Sequence, residues 1–121
     1  MKRDWDAIRK ILIATEAAGA EGQVSANQID PNDGENVSYN MALLVKAGFA
    51  EGPIWEGNDG SVIANLNNLT WNGHELLDHI RQDKVWESVK KTALQKGIDL
   101  TFSIVTELAA KTMRSFLNSN A

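Results

Sequence analysis

The chain has 121 residues, 43% of them apolar, a net charge of −4 and no cysteine. That length and apolar content suit one domain built round a single core, and the missing thiols exclude disulfides, thiolate metal sites and cysteine nucleophiles. Net acidity opposes a general affinity for polyanions, which Lys and Arg bind by displacing counterions; between Ala20 and Gly60 seven acids accompany Lys46 alone, and the other eleven bases lie toward the chain ends.

Asp4 can N-cap a first helix whose Trp5, Ile8, Leu12 and Thr15 share one face, with Gly19 closing it. "QVSANQID", Gln23 to Asp30, is too short and too Gly-flanked for a helix, and Val24 and Ile29 are the buried points of a short strand. In "DPNDGEN" Asp30 caps, Pro31 takes the first helical position and Gly34 stops, so that any helix there is about one turn. Asn36 to Ala47 reads as a substantial helix with a stripe of Val37, Met41, Leu44 and Val45, ended by Gly48. "FAEGPIWEGNDGSVIANLNNLT" reads as a β-hairpin whose turn residues Asn58, Asp59 and Gly60 tolerate positive φ. Thr70 caps a helix carrying Leu76, Leu77 and Ile80. After a bend near Asp83, a similar face continues through Val85, Trp86, Val89, Ala93 and Leu94 to Gly97. Asp99 caps a last helix in which Phe102, Val105, Leu108, Ala109, Met113 and Phe116 recur at threes and fours, before "NSNA" frays at the end.

The order helix, strand, turn, helix, hairpin, helix, with "VSYNMALLVKAGFAEG" followed by "LTWNGHELLDHI", resembles the recognition-helix and post-wing segments of bacterial winged-helix regulators. Together with the opening "MKRDWDAIRKIL", these segments also resemble a family of small bacterial and prophage proteins without an assigned activity. The resemblance implies an α+β, winged-helix-like domain with a shortened second helix, a β-hairpin wing and a C-terminal helical extension. The core spans residues 1–83 and the C-terminal helices 84–121. It also implies a mobile-element setting, and no catalytic residues.

In that arrangement the Asn36–Ala47 helix turns Ser38, Tyr39, Asn40, Ala42, Leu43 and Lys46 outward. Ser38, Tyr39 and Asn40 are the residue types that bond phosphates and base edges. Against a DNA-reading role stand the absence of Arg on this helix and a wing tip, "EGNDGS", that brings Glu56 and Asp59 where a DNA-binding wing carries cations. An acidic, Asn-rich face with exposed Tyr39 and Leu43 suits a protein partner instead. Of the four Trp, Trp5 and Trp86 fall on apolar stripes, Trp71 covers the junction of wing and helix, and Trp55 is the surface anchor to expect on the first wing strand.

"GHELLDHIR" begins like the H-E-x-x-H zinc motif, but the residue four after His74 is Asp78. His79, at five, sits about 140° round the helix, so helix-surface pairs of His74 with Asp78 and of Glu75 with His79 are expected instead of a metal site. No nucleophile elbow, phosphate loop or dinucleotide fingerprint occurs. Asp4 with Asp6, and Asp30 with Asp33, are explained as a cap and a turn, and "NDG" is too short for a calcium loop. The apolar run Ile11–Ala14 falls far short of a membrane span, and "MKRDWD" alternates charge, so a cytoplasmic location away from membranes is expected. The reading is therefore a non-catalytic interaction or regulatory module without metal or cofactor. Its partner is a host or phage protein, bound through Ser38, Tyr39, Asn40, Leu43, Lys46 and Trp55. The alternative is a DNA-binding transcriptional regulator using the same residues. The apolar stripe of the last helix packs on the first helix or forms a homodimer seam.

Overall fold

The computed structural model describes residues 1–19 and 22–119; Glu21, one of the seven acids, and the last two residues of the fraying segment lie outside the described residues. The protein is α+β. In chain order come α1 (Trp5–Ala17), β1 (Val24–Ser25), α2 (Ala26–Ile29), α3 (Gly34–Lys46), β2 (Ala50–Glu51), β3 (Ile54–Glu56), β4 (Val62–Leu66), β5 (Asn68–Leu69), α4 (Trp71–Ile80), α5 (Asp83–Lys96) and α6 (Phe102–Ser119). The chain divides into two units, Met1–Glu75 and Leu76–Ala121. The division falls inside α4 and places Leu76, Leu77 and Ile80 in the same unit as α5 and α6.

In the first unit, the Asp4 carboxylate accepts the Ala7 amide at 3.1 Å and starts α1, whose buried face is Ala7, Ile8, Ile11, Leu12 and Thr15. The Thr15 hydroxyl is satisfied within the helix by donating to the Ile11 carbonyl at 2.7 Å. The expected strand over Gln23–Asp30 is only two residues long. From Ala26 the chain turns into the one-turn α2, because Ser25 and Gln28 form a capping box in which the Ser25 amide donates to Gln28 Oε1 at 2.8 Å. Asp30 then ends α2, and Gly34 begins α3 where a stop was expected.

The helix α3 is the centre of this unit. It packs against β4, α1, α2 and β2, and Val37, Met41, Ala42 and Leu44 are buried along it. Its end is set by Gly48, at φ +85°, which lets the Gly48 amide reach the Val45 carbonyl and the Phe49 amide reach the Leu44 carbonyl, at 3.1 and 2.8 Å.

The hairpin forms as expected, with Ile54 opposite Ala64, Trp55 opposite Ile63 and Glu56 opposite Val62. β1 pairs on the other side of β4, giving the antiparallel order β1-β4-β3, while β2 and β5 pair separately beyond Gly52–Pro53. Of the three turn residues, Gly60 alone takes a positive φ. The Asp59 carboxylate holds the turn by accepting the Ser61 amide at 3.0 Å.

The "LTWNG" segment that leads into α4 has a physical explanation. The Thr70 hydroxyl donates to the Gly48 carbonyl at 2.6 Å and accepts the Gly73 amide at 3.1 Å, so one side chain ties the end of α3 to the start of α4. Gly73 lies so close to the Phe49 carbonyl that a Cβ there would stand 1.9 Å from its oxygen. Trp71 does not cover this junction; it is 78% exposed.

In the second unit α5 and α6 pack together, with the Ser88 and Thr112 hydroxyls 3.3 Å apart. Val85, Trp86, Val89, Ala93, Val105 and Ala109 are buried, and Lys90 stands over the Trp86 ring. Gly97 closes α5 as expected, but Leu94 is exposed despite its place in the apolar stripe. The cap of α6 is Thr101, whose hydroxyl accepts the Ile104 amide at 3.2 Å, and not Asp99. Among the described residues no helix is long and apolar enough to cross a membrane.

Candidate interaction surface

Because α3 has neighbours on several sides, its free face is narrower than an apolar stripe with a polar remainder implies. The residues that reach solvent are Glu35 and Lys46, with Tyr39 and Leu43 half-buried between them, a spacing of three to four that makes one stripe. Ser38 and Asn40, both expected on the outward face, are 7% and 0% exposed, and Ala42 is buried with them. Ser38 faces the side of β4 and α2, whereas Asn40 faces the start of α1.

Asn40 is the hub of a polar cluster. Its Oδ1 accepts the Asp4 amide at 2.8 Å, and its Nδ2 donates to the carbonyl and side-chain oxygens of Asn36 at 2.9 and 3.1 Å. Asn36 in turn donates to the carboxylates of Asp4 and Asp33, at 2.8 and 2.9 Å. A buried amide needs partners for both its donor and its acceptor, and Asn40 finds them inside the fold. Its role in this structure is to clamp the start of α1 to α3.

Lys46, the one base between Ala20 and Gly60, reaches the β3–β4 hairpin and donates to Glu56 at 2.6 Å. Tyr39 borders a cavity of about 410 Å³ lined by Glu35, Asp59, Gly60, Ser61, Val62 and Met1. The Asp59 carboxyl is held below its ordinary value of 3.8, chiefly by hydrogen bonding to the Ser61 side chain and then to the Ser61 amide.

Trp55 stands on the other face of the hairpin from these groups. Residues alternate along a strand, so Ala64 and Leu66 turn to the core while Ile63 turns outward opposite Trp55. Trp55 is 51% and Ile63 59% exposed, which makes a cross-strand apolar pair on the surface. The expected partner-binding set is thereby divided. Tyr39, Leu43 and Lys46 share the exposed α3 stripe, Trp55 joins Ile63 on the sheet's outer face, and Ser38 and Asn40 belong to the interior. Ile63 escaped the sequence reading, although the period of two in "VIANL" carries the signal that separates it from Val62 and Ala64.

In "GHELLDHIR" His74 and Asp78 have partners other than each other: His74 Nδ1 lies 3.6 Å from Glu16, and Asp78 pairs with Arg81 at 3.0 Å. Among the described residues no three of His, Cys, Asp and Glu gather where one ion could be held.

These features define a small α+β protein with an acidic face round a β-hairpin and an apolar pair on the hairpin's outer side. The chain belongs to the family described as Hypothetical protein (DUF2513), which matches residues 2–99 and so ends in the turn before α6. It is also similar to an uncharacterized protein of Haemophilus influenzae (strain ATCC 51907 / DSM 11121 / KW20 / Rd), at 43% identity over 111 residues covering 90% of this chain and 92% of that protein. No solved structure matches.

Proposed function

We propose that the chain is a non-catalytic interaction module in which a winged-helix-like scaffold presents its hairpin to a protein partner of phage or host origin in the cytoplasm. The observation that carries this reading is the Trp55–Ile63 pair. A Trp and an Ile, each more than half exposed and directly opposite on paired strands, contribute nothing to the core and supply the aromatic anchor typical of an interface hot spot. The winged-helix comparison rests on element order and on the β1-β4-β3 sheet lying against α3. The mobile-element setting rests on sequence resemblance.

For the DNA-reading alternative, the residues that would touch bases are spent elsewhere. Asn40 and Ser38 are buried, Lys46 is paired with Glu56, and Asp59 lies at the wing tip. A phosphate-binding surface needs cations that this face lacks. A homodimer through α6 is a second association mode, supported by Phe102, Phe116 and Leu117, which are exposed at 44%, 40% and 72%.

The test pairs two measurements. Tagged wild-type protein from its native host should retain a partner that Trp55→Ala and Ile63→Ser lose while keeping the wild-type circular dichroism spectrum. The purified protein should show no binding to mixed duplex DNA even at low salt. A partner held equally by both variants would overturn the surface named, and DNA binding with a steep salt dependence would overturn the reading.

A further inference from the structure

The strand β3 is an outer edge of the three-stranded sheet, which runs in the order β1-β4-β3. Its ladder with β4 fixes where its backbone groups point. The Pro53 carbonyl accepts from the Asn65 amide and the Gly57 amide donates to the Ser61 carbonyl, so residues 53, 55 and 57 bond toward β4. Ile54 and Glu56, which alternate with them, turn two N–H and two C=O groups away from the sheet, and among the described residues nothing pairs with them. Edge strands are ordinarily kept from pairing by shortness, by proline or by an outward charge. β3 is short and follows Pro53, but its one charge, Glu56, is held by Lys46 at 2.6 Å, and the residue at its centre is Trp55, 51% exposed.

The helix layer is open over the same edge. α3 packs on β4, and its stripe of Tyr39, Leu43 and Lys46 leans toward the hairpin. Lys46 reaches Glu56 of β3, and Tyr39 borders the cavity lined by Asp59, Gly60, Ser61 and Val62. Leu43 lies between them, half-buried. An added peptide strand would satisfy the backbone edge and leave that stripe uncovered, whereas a second copy of the chain brings both a strand and a helix.

We infer that β3 pairs with β3 of a second copy of this chain, antiparallel about a two-fold axis at Trp55, so that the two sheets become one. In this register Ile54 stands opposite Glu56 of the second copy on both sides of the axis, and only this register uses the outward groups of both residues on both edges. Trp55 meets Trp55 of the second copy at a non-hydrogen-bonded position, where side chains stand closest, and Ile63 continues the apolar row on either side. The two β4 strands then lie three strand spacings apart, about 14 Å. The α3 helices that sit on them clear the contact distance of about 8–10 Å, which leaves room between them for Tyr39, Leu43 and Lys46. Each Glu56 brings Lys46 as its own counter-ion, so the strands set no unpaired charge against its like. The inference is independent of the partner-protein reading, because the outer face of the Trp55–Ile63 row stays open in the pair.

So short a ladder makes an interface below the standard size, and a Kd on the order of 10–100 μM is expected. Sedimentation equilibrium of the full-length protein up to about 1 mM measures it. Trp55→Lys, which sets two like charges directly opposite, should raise the Kd at least about tenfold while keeping the wild-type circular dichroism spectrum. Leu117→Ser, on α6, should leave it within about twofold. Exchange of the Ile54 and Glu56 amides should slow as the concentration rises, and that of Ile63, already bonded to β3, should not. Because the chain has no cysteine, single cysteines report the register. The Cα atoms of a non-hydrogen-bonded pair stand about 4.5 Å apart, within the roughly 4.4–6.8 Å that a disulfide spans, whereas the two copies of residue 63 lie about 14 Å apart. Trp55→Cys should therefore oxidise to a covalent dimer far faster than Ile63→Cys, although Ile63 is the more exposed position at 59%. A monomer at about 1 mM, Trp55→Cys cross-linking no faster than Ile63→Cys, or a dimer kept by Trp55→Lys and lost by Leu117→Ser would each overturn the inference. A cellular partner lost with Ile63→Ser would stand in any of these cases, so the two readings fail separately.

Discussion

Replacing Asn40 by alanine tests whether this residue is a structural clamp or a surface reader. The substitution removes the acceptor for the Asp4 amide, at 2.8 Å, and the donor to two oxygens of Asn36, at 2.9 and 3.1 Å. The Asn36 carbonyl keeps its helical partner, but the Asp4 amide is left without its acceptor and the Asn36 side chain loses one. With each net hydrogen bond worth about 1 kcal/mol, and a stranded buried donor about 1–3 kcal/mol, the loss should be about 2–4 kcal/mol. That is a large part of the stability of an ordinary domain. At a urea m-value of about 2 kcal/mol/M, the midpoint should fall by about 1–2 M with the slope unchanged. The local signature is faster exchange of the Asp4 and Ala7 amides, which hold the start of α1. Asn40→Asp separates hydrogen bonding from shape. It fills the same space and still accepts from Asp4, but it presents an acceptor to the two Asn36 oxygens, so it should be at least as unstable as the alanine variant at neutral pH. A loss below about 0.5 kcal/mol for Asn40→Ala, or wild-type stability for Asn40→Asp, would refute the clamp.

Gly73→Ala should destabilise the first unit by about 2 kcal/mol or more, because the added Cβ meets the Phe49 carbonyl oxygen at 1.9 Å and the backbone must shift; an unchanged melting curve would contradict the packing at the start of α4. Lys46→Ala should cost at most about 1 kcal/mol, since the pair with Glu56 is exposed on both sides, and a double-mutant cycle with Glu56→Ala measures it. The Asp59 carboxyl, with its folded value lowered, supports the hairpin turn fully above pH 3.8 and gives up that support as the pH falls through the lowered value. Ser61→Ala should move the carboxyl NMR titration midpoint of Asp59 back up toward 3.8, and an unmoved midpoint would show that the Ser61 side chain is not the cause.

Local chemistry is legible in the sequence. Asp4 and Thr70 start helices, and Gly48 and Gly97 end them, because a cap acts through residues no more than a few positions away. The hairpin followed from alternation flanking "NDG", and the acidic character of residues 20–60 is composition alone. Where two local signals competed, the reading failed. In "QVSANQID" the capping box of Ser25 and Gln28 prevailed over the strand pattern, and near Asp99 the hydroxyl of Thr101 provided the cap.

What the sequence determined by itself, then, is where most elements begin and end, the excess of acidic over basic residues round the hairpin, and the presence of a tryptophan on its first strand. Only the tertiary structure decided which sides of α3 are covered. A helix seen alone has one apolar stripe, but this one has four neighbours, and that sends Asn40 and Ser38 inward and leaves only a narrow stripe through Tyr39 and Leu43. The meeting of Lys46 with Glu56 and the pairing of Trp55 with Ile63 likewise depend on strand register. Register and neighbour number are set by contacts between distant segments, and no local periodicity encodes them.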